Sequence, residues 1–387
     1  MKLESISIRD FRGIERLDLD FRDELGLIRD VIPIVGPNTS GKTTILDAIS
    51  LCLMPLAGVF SIRPGLRFRP SSIVRSGAVQ ASVTATVWFS DDEIEATREV
   101  LSLVNAFTTM PVLSDGRVTI RWTYPAPSAP DPGGAYSWEP SDGSIMSQRR
   151  LTVSRYHHVP EVGPRLYRRI GSIFLFDQQR NALWSHIPGP EMTQLGQSLD
   201  PEGPVGGSFS NGRAALGFGD TRIIDQSGSA LTKDPRLLLT SLAMRASVAQ
   251  DPKATEQEDF AQLKKLYEHV CRPHTMGELF NTDDGLDIEF QGPQGRYSYD
   301  GLSSGQQMIL LMLLQFATRR IHRSIVLIDE LELHLHPLWQ DRLYLALPRL
   351  GDDNQYFFTT HSTHIRDTLS DGFCYMTGKL SEPAVMR

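Results

Sequence analysis

Nine residues near the start of the chain, Gly36-Pro37-Asn38-Thr39-Ser40-Gly41-Lys42-Thr43-Thr44, constrain it more than any other feature. They fit G-x-x-x-x-G-K-[ST], follow the apolar run Val31–Val35 and open a helical pattern that runs from Lys42 to about Leu53. A strand that ends in such a loop and passes into a helix is the context in which this motif cradles phosphate. Glycine lets the backbone turn tightly and approach a ligand without a Cβ. The loop N–H groups then form a nest at the positive end of a helix. In that arrangement Lys42 reaches the β- and γ-phosphates of a nucleotide and the Thr43 hydroxyl ligates Mg²⁺. Only 7 of the 387 residues are lysine, so a chance match is a weak alternative.

The rest of the chain alternates strands and helices. Leu3–Arg9 and Ile14–Phe21 read as strands, Val79–Phe89 and Arg117–Tyr124 as a second pair, with an amphipathic helix at Asp91–Asn105. Pro125–Gly143 and Ile187–Gly219 carry many Gly, Pro and Ser residues and read as loops. Ser172–Phe176 is a buried strand; Pro235–Ala249 and Glu256–Cys271 are helices. Leu286–Phe290 and Arg296–Tyr299 suit a hairpin, Ser304–Ile321 and Pro337–Leu350 helices. Ile325–Asp329, Gln355–Thr360 and Phe373–Met376 complete the strands. Such alternation predicts a mostly parallel sheet covered on both faces.

Ile325-Val326-Leu327-Ile328 ends in two acids, Asp329 and Glu330. Alone this is weak, because apolar strands often end in acids. Downstream of a phosphate loop it gains meaning: Asp329 can hold the hydration shell of Mg²⁺, and Glu330 can polarise an attacking water. The next strand runs into His361, on the edge of a parallel sheet where ligands bind, within reach of a γ-phosphate.

Leu302-Ser303-Ser304-Gly305-Gln306-Gln307 opens the helix that precedes the acidic strand. Taken in order, the phosphate loop, LSSGQQ, IVLIDE and TTHS resemble an ABC-type ATPase head. Leu331-Glu332-Leu333-His334-Leu335-His336-Pro337 narrows this to the OLD-like and RecF-like group related to the chromosome-maintenance (SMC) ATPases, as does Ile6–Ile14. The resemblance implies an α/β fold: a P-loop NTPase with an ABC-like head, a mixed, mostly parallel sheet, N-terminal antiparallel strands and an inserted subdomain. Residues 1–55 would form one ATPase lobe, 236–387 the other, with 56–235 elaborated between them. It further implies ATP and Mg²⁺ as ligands, and a dimer in which Ser303, Ser304, Gly305 and Gln306 of one head complete the phosphate site of the other. A helix cap is the plainer role for Ser303. The family also places a glutamine after the strand ending at Phe176; Gln178, as a ligand of Mg²⁺, or Gln179 fits. Arg12 stands either near the nucleotide or on the surface. His334 and His336 read as structural residues.

Several function classes drop out. A formal charge of −7 and pI near 5.8 argue against a nucleic-acid coat protein. The three cysteines are too scattered for a disulfide framework or a zinc site. The longest strongly apolar stretch, Met308–Leu314, falls far short of the roughly 20 residues of a membrane span. No signal-peptide pattern is present, so the expected setting is cytoplasmic without membrane contact. No long heptads separate the two halves, and only 26 residues follow His361, which suggests a bare head without a nuclease domain. Arg63, Arg67, Arg69, Arg75, Arg149, Arg150, Arg155, Arg165, Arg168 and Arg169, with Tyr156, Tyr167, Trp138 and Trp184 interleaved or nearby, would suit DNA or RNA phosphates, or an ordinary ion-paired surface.

The function expected from these features is an ATP-hydrolysing switch. It would dimerise, or form a higher oligomer, around ATP and act on DNA or RNA and a separate effector such as a nuclease, in antiphage defence or DNA repair. Two alternatives stay open: an ATP-bound scaffold without turnover that inhibits a toxic partner, and a transporter ATPase subunit. The long interval between Gly36 and Leu302 argues against the last.

Overall fold

The computed structural model describes residues 1–57, 72–103, 115–125, 137–139, 149, 153, 163–176, 182–183, 223–224, 230–231, 235–248, 255–282, 285–319, 321–368, 375–376 and 385–386. In chain order the strands are β1 (Lys2–Phe11), β2 (Ile14–Asp20), β3 (Val31–Val35), β4 (Ala81–Trp88), β5 (Arg117–Tyr124), β6 (Ser137–Glu139), β7 (Ile173–Phe176), β8 (Ala182–Leu183), β9 (Ile223–Ile224), β10 (Ala230–Leu231), β11 (Thr275–Thr282), β12 (Gly285–Gly292), β13 (Gly295–Tyr297), β14 (Ile325–Ile328), β15 (Gln355–Thr360), β16 (Tyr375–Met376) and β17 (Val385–Met386). The helices are α1 (Lys42–Leu53), α2 (Asp91–Leu103), α3 (Gly163–Arg169), α4 (Pro235–Val248), α5 (Thr255–Val270), α6 (Ser304–Arg319), α7 (Pro337–Ala346) and α8 (Thr363–Thr368).

Two large sheets organise the molecule. One is antiparallel, in the order β2-β1-β4-β5-β6. The other runs β17-β16-β3-β15-β14-β7-β8, parallel from β16 to β7 and closed at each edge by a short antiparallel strand. Its central strands are almost wholly buried because both faces are covered, and β3, β14 and β7 are apolar throughout; period-2 alternation sorts their side chains into two cores. Ile173, Leu175, Ile325, Leu327 and Phe357 join α1 and the antiparallel sheet in one core. Phe174, Phe176, Val326, Ile328, Tyr356 and Phe358 join α4 to α7 and β11 to β12 in the other. Each such side chain contributes about 1.5–3 kcal/mol of burial. Buried Gln355 welds the sheets together: its Oε1 accepts the Leu3 N–H at 2.6 Å and its Nε2 donates to the Leu3 carbonyl at 2.9 Å.

Two expectations need correction. Ser137-Trp138-Glu139, within the Pro125–Gly143 stretch read as loop, pairs with β5 as β6. Trp138 explains it: the indole packs on the first core and donates to the Leu51 carbonyl at 3.2 Å. The expected hairpin of β12 and β13 gains a third strand, β11. Its sequence, Thr-Met-Gly-Glu-Leu-Phe-Asn-Thr, lacks clean alternation, and a bulge between Met276 and Leu279 breaks its register. The stretch 187–219 lies outside the described residues, as do Phe373 and Cys374 of the expected final strand.

Candidate functional site

The carboxyl ends of β3, β15 and β14 lie side by side because these strands are parallel neighbours. The phosphate loop leaves β3, Asp329 and Glu330 leave β14, and His361 leaves β15. Three motifs far apart in the chain thus meet on one edge of the sheet.

Gly41, the residue before α1, has φ +91°, a left-handed conformation open to glycine at little cost. The helix has no side-chain cap, so its leading N–H groups face the loop as anion donors. Pro37, Asn38 and Thr39 are exposed and Ser40 is buried; Thr43 and Thr44 are half-buried. Lys42 is only 5% exposed. Its ammonium donates to the carbonyls of Gly36 and Pro37, both at 2.8 Å, and lies 3.4 Å from His361 Nδ1. Burial lowers its pKa, opposed by the carboxylates of Glu332, Glu330 and Asp329.

Asp329 is fully buried. Its Oδ1 accepts from the Thr43 hydroxyl at 3.0 Å and the Thr359 hydroxyl at 2.9 Å. Thr359 Oγ1 in turn accepts the Glu330 N–H at 2.7 Å. Glu330 has φ +50°, which turns the chain out of the strand as it leaves β14. Thr43 and Asp329 present a hydroxyl and a carboxylate to each other, hard oxygen donors of the kind Mg²⁺ takes.

The signature residues open α6. Ser303 and Gln306 form a reciprocal capping box on α6: Ser303 N–H donates to Gln306 Oε1 at 2.9 Å, and Gln306 N–H to Ser303 Oγ at 3.3 Å. Gln306 Nε2 reaches the hydroxyls of Tyr267 and Tyr297, each at 3.2 Å. Ser303 and Ser304 are exposed. A Cβ on Gly305 would meet the His334 carbonyl oxygen at 2.7 Å, so α6 packs closely on the segment after Glu330. His336 caps α7, its Nδ1 accepting the Leu338 N–H at 3.4 Å.

Arg12 bonds to buried Asp47 on α1 at 2.7 Å, tying the β1–β2 turn to the helix that follows the phosphate loop. Gln178 and Gln179 lie outside the described residues. The strand before them does arrive at the site: Phe176 carbonyl accepts the Asp329 N–H at 2.9 Å. Two residues not singled out from sequence belong to the arrangement. Thr359 carries the bond between Asp329 and Glu330, and Glu332 accepts the His361 N–H at 2.5 Å. Their signal was present, one in the TTHS run and the other in the ELHLHP run.

Several of the arginines considered for nucleic acid are engaged within the chain. Arg149 pairs with Glu93 at 2.7 Å, both fully buried. Arg165 pairs with Glu99, Arg168 with Glu258, Arg169 with Asp92 and Glu95, and Arg75 with Asp10 and Glu15. Arg63, Arg67, Arg69, Arg150, Arg155, Tyr156 and Trp184 lie outside the described residues, as does the Tyr167 side chain. No helix among the described residues is long and apolar enough to cross a membrane.

Two family models match the chain: an "AAA ATPase domain" over residues 1–83 and an "AAA domain, putative AbiEii toxin, Type IV TA system" over residues 212–367. Retron Ec83 probable ATPase of Escherichia coli is 34% identical over 79 residues, 18% of this chain and 15% of that protein. Septu protein PtuA of Bacillus thuringiensis is 27% identical over 95 residues, 21% of this chain and 24% of its own. Zinc import ATP-binding protein ZnuC of Jannaschia sp. (strain CCS1) is 53% identical over 38 residues, 10% of this chain and 16% of its own. The alignments thus span under a quarter of each of these relatives. Among solved structures, an SmcHead bound to the C-winged helix domain of ScpA superposes with a TM-score of 0.50 at 15% identity, covering 95% of this chain and 91% of its own. Models of AAA ATPase domains thus match residues 1–83 and 212–367, and the chain shares the fold of an SMC head over nearly its whole length.

Proposed function

We propose that the chain binds ATP with Mg²⁺, hydrolyses it to ADP and phosphate, and acts as a nucleotide-dependent switch on a separate effector protein. The observation that carries this reading is the set of bonds joining Thr43, Asp329, Thr359 and Glu330 beside Lys42 and His361. Lys42 and the loop N–H groups neutralise charge on the β- and γ-oxygens. Glu330 orients the attacking water and accepts its proton, while His361 contacts the γ-phosphate. Mg²⁺, held through Thr43 and the Asp329 carboxylate, would supply charge neutralisation between the β- and γ-phosphates.

Hydrolysis acts on assembly. Ser303 is exposed at the start of α6, where a hydroxyl and leading helix N–H groups would suit the γ-phosphate of a second head, so ATP would sit in the interface of a dimer. In this reading 1–55 and 236–387 are the ATPase lobes, and 56–235 supplies the partner-specific part, apart from β4 to β8, which belong to the two large sheets. The names of the relatives, a retron ATPase and a Septu protein, favour antiphage defence over DNA repair as the setting. DNA or RNA contact remains part of the proposal, carried by arginines other than the ion-paired ones named above.

Phosphate release by the purified protein tests the core of this reading. Glu330→Gln keeps the size of the side chain and removes the base. Its turnover should fall about 10²–10⁴-fold while ATP still binds. Unchanged turnover would mean that another group positions the water.

A further inference from the structure

Glu332, two residues beyond Glu330, has no part in the mechanism above. Its Oε1 accepts the backbone N–H of His361 at 2.5 Å. Its Oε2 is closed off from solvent and meets no hydrogen-bond donor among the described residues. A buried carboxylate oxygen without a donor costs stability, so it persists only where the surrounding chain holds it in place.

That hold is visible on both sides of Glu332. Leu331 is fully buried, and its N–H donates to the Thr359 carbonyl at 3.0 Å. Leu333 N–H returns to the Glu330 carbonyl at 3.0 Å, and Leu335 N–H to that of Glu332 itself at 2.9 Å. The segment is a compact turn bonded to β15. His361, by contrast, is an exposed residue just past the end of β15, ahead of short helix α8. The rigid partner in the Glu332–His361 bond is therefore Glu332. On the other side of His361 the ring lies 3.4 Å from the Lys42 ammonium.

We propose that Glu332 is a positioning residue of the phosphate site: its carboxylate fastens the main chain of His361 to the turn after Glu330, so that the imidazole stands against Lys42, where a terminal phosphate would lie. The proposal rests on the ATP-hydrolysis reading and adds to it the part that sets the histidine.

The test compares wild type, Glu332→Ala, Glu332→Gln, Glu332→Asp, His361→Ala and the double variant Glu332→Ala/His361→Ala. ATP affinity is measured by calorimetry with Mg²⁺, and kcat and KM by phosphate release. Glu332→Ala removes the acceptor that holds His361, so kcat should fall about 10-fold or more while ATP affinity stays within about 3-fold. Glu332→Gln keeps a carbonyl oxygen for the His361 N–H and should recover most of the lost kcat. Glu332→Asp keeps the charge but draws the carboxylate back by one methylene. It should fall with the alanine variant, and it carries the test if that variant does not fold. The double variant should be no slower than His361→Ala by more than about 2-fold, because Glu332 acts through the histidine.

An Asp or Ala variant with wild-type kcat would overturn the proposal while leaving the hydrolysis reading intact. So would a further loss of about 10-fold in the double variant. A wild type that binds ATP and releases no phosphate would overturn the hydrolysis reading and this role with it.

Discussion

The Lys42 ammonium is held by its own loop. It donates to two carbonyls of its own loop at 2.8 Å, and burial depresses its pKa. In the proposed reading ATP would offer Lys42 phosphate oxygens in place of those carbonyls. Lys42→Ala should weaken ATP binding by about 100-fold or more, since bonds to charged oxygens are the strong ones. It should leave the melting temperature within about 3 °C, because the exposed loop carbonyls regain water. Calorimetry with ATP and Mg²⁺, alongside a thermal melt, checks both. A second buried charge has the opposite role. Glu93 accepts from Arg149 at 2.7 Å, from the Met1 nitrogen at 2.5 Å and from the Gly171 N–H at 3.0 Å, with no exposure. Desolvation alone would raise its pKa, but the neighbouring amine and guanidinium outweigh it and hold the carboxyl below its ordinary value. A carboxyl depressed on folding contributes stability above its unfolded pKa, near 4.3, and loses it as pH falls through the lower folded value. Glu93→Gln leaves the buried Arg149 guanidinium without its anion and should cost about 3–5 kcal/mol at pH 7. Urea melts between pH 7 and 3 should show the variant losing less stability than wild type below about pH 4.

At the scale of elements, the start of α6 does two jobs. The capping box of Ser303 and Gln306 satisfies two N–H groups of the helix, and Gly305 lets its backbone press on the His334 carbonyl. An added methyl at Gly305 would sit 2.7 Å from that oxygen, and both partners are main chain. Gly305→Ala should cost about 1–3 kcal/mol, as overpacking does. Ser303→Ala, which only removes the cap, should cost about 1 kcal/mol. Denaturant melts of the two variants separate the effects, and equal costs would mean that the helix start is not pressed on the 331–336 segment. The α1 and α6 boundaries were legible in sequence because loop glycines and a capping pattern mark them. Strand β11 was not, since its pairing with β12 depends on a core that exists only once α4 to α7 have assembled.

At the scale of the molecule, the exposure of Ser303 and Ser304 makes assembly the readout of the proposed composite site. In the composite-site reading, Glu330→Gln with ATP and Mg²⁺ should accumulate as a dimer in light scattering, because hydrolysis no longer releases it. Adding Ser303→Arg fills the gap at the helix start and sets a cation against its positive end. That double variant should return to the ATP-free assembly state. The Ser303→Ala/Glu330→Gln control loses the same cap but keeps the space, and should still dimerise. A dimer that survives Ser303→Arg would reduce Ser303 to a helix cap.

The sequence by itself determined the local chemistry: a glycine-bounded loop before Lys42, apolar strands ending in Asp329-Glu330 and in His361, and a capped helix at Ser303. These are legible because turn geometry, capping and strand periodicity act over a few residues. Tertiary structure decided which of those groups share a site. Parallel pairing of β3, β15 and β14 brought the loop, the acids and the histidine to one edge, and packed the start of α6 on the segment after Glu330. It also decided the use of charge. Arginines 149, 165, 168 and 169 could have faced a nucleic acid, but the fold sets Glu93, Glu99, Glu258 and Asp92 against them. The physical reason is range: backbone preference is settled between neighbours in the chain, whereas the partner of a charge or a strand is settled by whatever the collapsed core places beside it.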